Sequence, residues 1–313
     1  MAGEHDLIII GGGAAGLSAA QYGARANLDT LLVEEMATGG QALLIDGLEN
    51  YPGLVQPVNG YDFAEGMRSQ AERFGAAFVT ASVTAIRKEG DGFVLSGTEG
   101  ELRSKAVILA TGAKHRHLGV EGEERLAGRG VSYCATCDGP FFKGKRIWVV
   151  GGGDSACDEA QYLAKLSPQV SMVHRKDRFR AQPAVAGRVL SNPSIKVRFN
   201  SILREIRGEK KVESVLVENL LTHEVSEEGA DAVFVFVGSI PQSGLAAAAG
   251  ARLDETGFIV TDAKMETSVR GLFAAGDVRD TPFRQIVTAC SDGAVAAHSA
   301  AQYIDELRGR SYR

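Results

Sequence analysis

The chain has 313 residues, 44% hydrophobic and 23% charged, a composition that fits about two soluble globular domains and excludes a mainly disordered chain. The net charge of −5 argues against nucleic acid as a partner, and four cysteines are too few for a disulfide scaffold and fit a reducing cytoplasm. No apolar run approaches the roughly 20 residues of a spanning helix, so no membrane partner is expected. The opening segment Met1–Asp6 has Glu4 and Asp6 and no basic stretch, so no secretory signal is expected. Glycine is the outlier: 38 residues of 313, about 12% against a usual ~7%.

In chain order, Leu7–Ile10 reads as a buried parallel strand, apolar without alternation. Gly11-Gly12-Gly13-Ala14-Ala15-Gly16 follows and satisfies G-x-G-x-x-G; a helix is expected over Leu17–Ala26, then a strand over Thr30–Val33 ending at Glu34. Segment 40–60 is rich in Pro, Gly and Asn and reads as a ligand-lining loop. Segment 76–105 reads as short strands with turns at Gly90-Asp91-Gly92 and Thr98-Glu99-Gly100. Strands over Ala106–Ala110, Ala232–Val237 and Leu272–Ala275 each run into glycine: Thr111-Gly112-Ala113, Gly238-Ser239-Ile240-Pro241 and Gly276-Asp277.

The strand–glycine–helix–strand unit occurs twice, 140 residues apart. Its second copy is Ile147–Val150, Gly151-Gly152-Gly153-Asp154-Ser155-Ala156, a helix expected over Cys157–Leu166, and a strand over Val170–Val173 ending at His174. In such a unit the first glycine allows the tight turn, the second lets backbone approach a pyrophosphate, and the third small residue lets helix and strand pack. Phosphates then sit on the helix N-terminus, where N–H groups and dipole favour anions. The copies differ where their second strands end. Glu34 can accept hydrogen bonds from a ribose diol, as in FAD or NAD, and repels a 2′-phosphate. His174-Arg175-Lys176-Asp177-Arg178-Phe179-Arg180 offers cations in its place, which suits the 2′-phosphate of NADPH.

Cys134-Ala135-Thr136-Cys137-Asp138 is a C-x-x-C, either a redox dithiol or half of a zinc site. Zinc needs four ligands, and no second pair or H-x3–5-H accompanies it, so no metal is expected. A redox pair needs two thiols, an electron route and a nearby acid or base, for which Asp138 stands one residue past Cys137. Cys157 and Cys290 are isolated and read as packed hydrophobes.

Together these motifs resemble the low-molecular-weight, bacterial-type thioredoxin reductases over essentially the whole chain. The resemblance rests on Gly11–Gly16, Gly39-Gly40-Gln41, Glu49-Asn50-Tyr51-Pro52-Gly53, Ala110-Thr111-Gly112-Ala113 and Cys134 to Gly139. It rests further on Gly151–Ala156, His174–Arg180, Ala274–Asp277 and Arg284-Gln285. It implies an α/β fold of two Rossmann-like nucleotide-binding domains, the NADPH domain inserted into the FAD domain. The boundaries would be 1–114 and 242–313 for FAD, and 115–241 for NADPH and the redox pair. The linkers would be Gly112-Ala113-Lys114 and Gly238-Ser239-Ile240-Pro241, between domains that rotate against each other in that family, and the assembly would be a homodimer. FAD would take Gly11, Gly13, Gly16, Glu34, Gly39, Gly40, Gln41, Asn50, Thr111, Gly112, Asp277, Arg284 and Gln285. NADPH would take Gly151, Gly153, Asp154, Ser155, Ala156, His174, Arg175, Lys176, Arg180 and Gly238.

By the same resemblance, NADPH reduces FAD, FAD reduces the Cys134–Cys137 disulfide, and the dithiol reduces thioredoxin. Cys137 would be the flavin-adjacent thiol and Asp138 the proton carrier, with the cysteine that forms the mixed disulfide left open. Two departures stand out. Arg175-Lys176 replaces an arginine pair, which keeps the charge but loses a bidentate fork, and Pro241-Gln242 replaces proline-asparagine. His115 and His117 have no chemical role in this reading. Alternatives are a reductase of the same fold for a glutaredoxin-like or peroxidase partner, a flavin dithiol oxidase, and a nucleotide-sensing binding protein. The intact second copy speaks against the oxidase, and the cysteine pair against the sensor.

Overall fold

Runs of β-branched and aliphatic residues bounded by glycine set the two sheets. A computed structural model describes residues 4–45, 47–48 and 50–310; Glu49, one residue of a motif named above, lies outside them. The chain divides into two compact units, one of residues 1–114 and 240–313, the other of residues 115–239.

In chain order the elements are β1 Glu4–Ile10, α1 Ala14–Arg25, β2 Thr30–Glu34, α2 Gly60–Arg73, β3 Ala77–Thr80, β4 Val83–Glu89, β5 Gly92–Gly97, β6 Gly100–Leu109 and β7 Ala113–His115. The second unit adds β8 Val131–Ser132, α3 Ala135–Asp138, β9 Ile147–Gly151, α4 Asp154–Leu166, β10 Val170–Val173, α5 Pro183–Ser191 and β11 Ile195–Arg198. It continues with β12 Ser201–Arg207, β13 Ser214–Asn219, β14 Val225–Gly229 and β15 Ala232–Phe236. The chain returns through β16 Ser239–Pro241, α6 Gly244–Ala248, β17 Leu272–Ala274 and α7 Ile286–Leu307.

The first unit carries a seven-stranded sheet of order β3-β2-β1-β6-β5-β4, with β17 also on β6. Strands β3, β2, β1, β6 and β17 run parallel, and β4–β5 is an antiparallel hairpin built onto the first half of β6. Ile8 pairs with Leu31 and Val107, so β1 lies between two strands and is apolar on both faces, as an enclosed parallel strand must be. Helices α1 and α7 cover one face: Leu7, Ile9, Leu17, Ile108, Phe273 and Ile304 share a fully buried cluster. The close approach of the two helices depends on Gly293, whose Cβ would fall 2.1 Å from the Ala15 carbonyl oxygen.

The second unit carries an all-parallel sheet of order β11-β10-β9-β15-β8 and an antiparallel meander β12-β13-β14. Helix α4 packs on one face through Ala156, Cys157, Ala160 and Leu163, and the meander closes the other through Leu203, Ile206, Val215 and Val217 around Trp148. Each unit is therefore an α/β Rossmann-like fold, the second inserted into the first. Neighbouring strands connect in opposite directions beside β1 and beside β9, the switch point at whose carboxyl ends such sheets bind ligands.

Two sequence expectations shift at their boundaries. Helices expected at Leu17 and Cys157 begin at Ala14 and Asp154. The segment read as loop holds a 3₁₀ turn over Gly40–Leu44 and a bridge between Leu48 and Val58. Among the described residues, no helix is long and apolar enough to cross a membrane.

Candidate active site

Strand β8 is only two residues long, and the chain leaves it through Tyr133 into Cys134, whose extended backbone (φ −140°, ψ 105°) caps α3. One helical turn then brings Cys137 back, and the two cysteines form a disulfide with Cα atoms 5.3 Å apart. The Cys137 N–H donates to the Cys134 sulfur at 3.2 Å, and the Thr136 hydroxyl lies 3.4 Å from the same atom. Such partners favour the thiolate once the disulfide opens, and the thiolate is the reactive species. Asp138 belongs to the same turn: its N–H donates to the Cys134 carbonyl at 3.1 Å, and its carboxylate accepts the Ser132 hydroxyl at 2.5 Å. Ser132, not foreseen from sequence, also accepts the Cys134 N–H at 3.1 Å. Cys134, Cys137 and Asp138 are half-buried. Burial pushes the Cys157 thiol up to about 11, and Cys290 is pushed up the same way, as suits packed thiols.

His115 and His117 gather around Tyr133. The His115 ring stacks on Tyr133 with centroids 5.3 Å apart, and His117 Nδ1 is 3.1 Å from the Tyr133 hydroxyl. That hydroxyl donates to Glu123 at 2.9 Å, and Glu123 in turn accepts the N–H groups of Leu118 and Gly119. Burial and this carboxylate push the Tyr133 phenol well above its usual range, and burial lowers His115.

The two glycine loops have the same build. Gly11 and Gly151 take positive φ (104° and 153°), and a Cβ on either would fall 2.4 Å from the Ala110 oxygen or 2.5 Å from the Phe236 oxygen. The third position packs helix on strand: a Cβ on Gly16 would stand 1.8 Å from the Gly11 oxygen, whereas in the second copy Ala156 fits, fully buried. The middle position behaves differently. A Cβ on Gly13 would meet nothing closer than Gly40 Cα at 4.0 Å, and one on Gly153 only the flexible tip of Arg180 at 3.4 Å. Both have ordinary extended backbone and cap their helices with no side chain on the first N–H groups. Among the described residues, nothing requires glycine at these two places. A pyrophosphate lying against the backbone does, so the loops fit a dinucleotide.

The ends of the second strands reach the same loop residue in each copy. Glu34 accepts the Gly12 N–H at 2.6 Å and the Met36 N–H at 3.0 Å. His174 lies against Gly152, whose Cβ would stand 2.2 Å from its Nδ1. Burial, then the neighbouring Arg175, pushes His174 down. Arg180 donates its N–H to the Gly152 oxygen at 2.7 Å, and Asp154 accepts the Gln182 N–H at 2.8 Å. Ser155, Arg175 and Lys176 are exposed around this loop.

The other residues expected at FAD divide into two sets. Gly39 donates its N–H to the Gly12 oxygen at 2.7 Å, and a Cβ on Gly40 would stand 3.1 Å from Gly13 Cα, so this pair joins the first loop. Gln41 donates to the Ala113 oxygen, Thr111 to the Gln242 oxygen at 2.7 Å, and Asn50 to Gln285 at 3.1 Å. Gln285 caps α7 in a reciprocal box with Thr288. The Gln242 N–H donates to Gly112, and the Arg116 N–H to Gly238, both at 2.9 Å. Asp277 is half-buried, and among the described residues nothing donates a hydrogen bond to its carboxylate; burial raises its pKa against the pull of Arg284. Arg284 lies 4.1 Å over the Phe258 ring, and its Nε is buried with no hydrogen-bond partner among the described residues. An acceptor lacking donors and a buried donor lacking an acceptor fit a polar group such as a flavin nucleotide.

A profile of the pyridine nucleotide-disulphide oxidoreductases matches residues 5–293. The chain is 55% identical to a thioredoxin reductase of Treponema pallidum, covering 97% of this chain and 99% of that one. The chain belongs to the pyridine nucleotide-disulphide oxidoreductases, and within them to the thioredoxin reductase family. This oxidoreductase is also 44% identical to a thioredoxin reductase of Peptoclostridium acidaminophilum, over 97% of this chain and 98% of the other. Its structure is similar to the crystal structure of a thioredoxin reductase from Streptococcus pyogenes, with a TM-score of 0.88, 41% identity, and coverage of 97% and 99%.

Proposed function

We propose that the chain is a cytoplasmic, homodimeric flavoprotein that uses NADPH to reduce the disulfide of thioredoxin. The observation that carries this reading is the Cys134–Cys137 disulfide, joined within one helical turn to Asp138, in the same unit as the second glycine loop. FAD would be held by the first loop with Glu34, Gly39, Gly40, Asp277 and Arg284, and NADPH by the second loop with His174, Arg175, Lys176 and Arg180. When bound, nicotinamide and flavin supply hydride transfer and the electron pair that opens the disulfide.

The residues of the chain do the rest. In the open pair, one thiolate attacks a sulfur of the partner disulfide and forms a mixed disulfide, releasing one partner thiolate. The second thiolate attacks the enzyme's own sulfur in that bond, restoring Cys134–Cys137 and releasing the second partner thiolate. Two electrons pass to the partner and two protons follow, one of them carried by Asp138 in this reading. The Cys137 N–H and the Thr136 hydroxyl stabilise negative charge on Cys134 during exchange.

The test is turnover of the purified holoenzyme with NADPH and a panel of disulfides: thioredoxin, glutaredoxin-like proteins, peroxidases and small disulfides. The protein should be yellow, bleach anaerobically with NADPH, and turn over fastest with thioredoxin. A faster rate on any other member, or bleaching without disulfide reduction, overturns the proposal.

A further inference from the structure

We propose that Ser132 is a positioning residue that serves Asp138 in both of its protonation states; the inference rests on the reading of Asp138 as proton carrier. A carboxyl group that takes up and gives back a proton presents its surroundings with two different needs. Ionised, it only accepts hydrogen bonds; protonated, it donates one. A neighbour that satisfies one form alone biases the group toward that form.

Ser132 is buried, 4% exposed, and its oxygen has three neighbours within reach. It lies 2.5 Å from Asp138 Oδ2, 3.1 Å from the Cys134 nitrogen and 3.3 Å from the Cys134 oxygen. A hydroxyl has one proton and two lone pairs. One lone pair takes the Cys134 N–H in either state. With Asp138 ionised, the serine proton points to Oδ2. With Asp138 protonated, its O–H donates to the second lone pair, and the serine proton turns to the Cys134 oxygen. Every partner is satisfied both times: one short hydrogen bond reverses its direction, and the serine proton's bond to the Cys134 oxygen is made only when Asp138 is protonated. No heavy atom needs to move, so the cysteine backbone keeps its place while the proton comes and goes.

The arrangement also ties the carboxyl group to the strand that delivers the dithiol. Ser132 ends β8, and the same hydroxyl fixes the first peptide of the Cys134 turn. Other titratable groups stand on the surrounding elements: Cys134 and Cys137 in the turn itself, Tyr133 after β8, Lys143 beyond the following Gly139–Phe142 turn, and Glu159 and Tyr162 on α4, which packs against it. They make a pH profile composite, so the limb belonging to Asp138 must be identified by its own variant.

The experiment is single-turnover oxidation of NADPH-reduced holoenzyme by thioredoxin disulfide across pH. Asp138→Asn identifies the limb by removing it. Ser132→Ala deletes the donor to the ionised carboxylate, so the Asp138 limb should move to higher pH by about one unit. Ser132→Thr keeps the hydroxyl and should restore the parent position. In the Asp138→Asn background, Ser132→Ala should add nothing. If Ser132→Ala does not fold, Ser132→Cys, similar in shape and a weak donor, carries the test with a smaller shift in the same direction. A limb unmoved by loss of the hydroxyl, but lost in Asp138→Asn, overturns the role of Ser132 and leaves that of Asp138 standing. A limb that survives Asp138→Asn overturns both.

Discussion

Gly13 and Gly16 stand three residues apart in one motif, and the structure predicts opposite outcomes when each becomes alanine. At Gly13 (φ −72°, ψ −175°) alanine is allowed, and its methyl meets no protein atom closer than 4.0 Å. The expected loss of ligand-free stability is about 1 kcal/mol or less, the difference between glycine and alanine at an N-cap. The same methyl occupies the space proposed for the pyrophosphate. Displacing one charge-assisted bond costs roughly 1.5–3 kcal/mol, a ten- to hundredfold loss of flavin affinity. At Gly16 the methyl would stand 1.8 Å from the Gly11 oxygen, a backbone atom that cannot swing aside. Helix α1 must then shift off β1, at a cost of about 3 kcal/mol or more before any ligand is considered. The assay is denaturant unfolding of the ligand-free protein beside flavin titration by fluorescence. Gly13→Ala should unfold near the parent midpoint and bind flavin poorly, and Gly16→Ala should unfold early. A Gly13→Ala protein that holds flavin as tightly as the parent refutes the dinucleotide reading of the loop.

Three further outcomes are expected. Cys134→Ser and Cys137→Ser should each abolish disulfide reduction while NADPH still bleaches the flavin, and stopped-flow absorbance separates the two. Arg175→Ala and Arg180→Ala should each cut the NADPH preference over NADH by about tenfold or more, since a 2′-phosphate bond has no counterpart on NADH; equal kcat/KM for both nucleotides in the parent would remove the basis of this expectation. Burial, with Asp158 beside it, pushes Glu159 up to about 7 from 4.5. A raised carboxyl pKa means that the folded state binds the proton more tightly. The resulting stability is full below about pH 4.5 and is lost as pH rises through 7. Glu159→Gln should therefore match the parent at pH 4 and exceed it at pH 8 by about 1–3 kcal/mol in urea unfolding.

Where local chemistry decides structure, the elements were readable from the chain. Leu7–Ile10 and Val170–Val173 could be assigned because enclosed parallel strands leave no polar face to confuse the pattern. The helix starts were misplaced by three residues in both copies for one reason. The last three residues of G-x-G-x-x-G read as loop, yet their N–H groups point outward only because they already form the first helical turn. The Leu48–Val58 bridge escaped because a ten-residue separation leaves no periodic trace. Ser132 escaped differently. A serine beside C-x-x-C is unremarkable until residues 135–138 wind into a turn and carry a carboxylate six positions away onto its hydroxyl. The histidines had no assigned chemistry in sequence because their meaning is Tyr133 and the buried Glu123, joined only by folding.

In the proposed function, one backbone would serve two cofactors. Each offers the same helix start without a side-chain cap, and each keeps glycine where no atom of the described residues asks for it. A phosphate pair therefore meets nearly the same surface in both, and the backbone alone cannot tell one dinucleotide from another. Discrimination would then fall to the side chain at the end of the second strand, which touches the middle residue of the glycine triplet in both copies. Glu34 is already fixed there by the Gly12 and Met36 N–H groups, with a lone pair on each oxygen left for a hydroxyl donor. In the second copy an imidazole stands at that place with Arg180 beside it, and the remaining cations are exposed around it. In the proposed function, Glu34 would repel an added phosphate where the cationic group attracts it, and the sign of that local charge would separate the nucleotides. The fold thus repeats the tight turn and helix packing and varies one half-buried residue at the strand end.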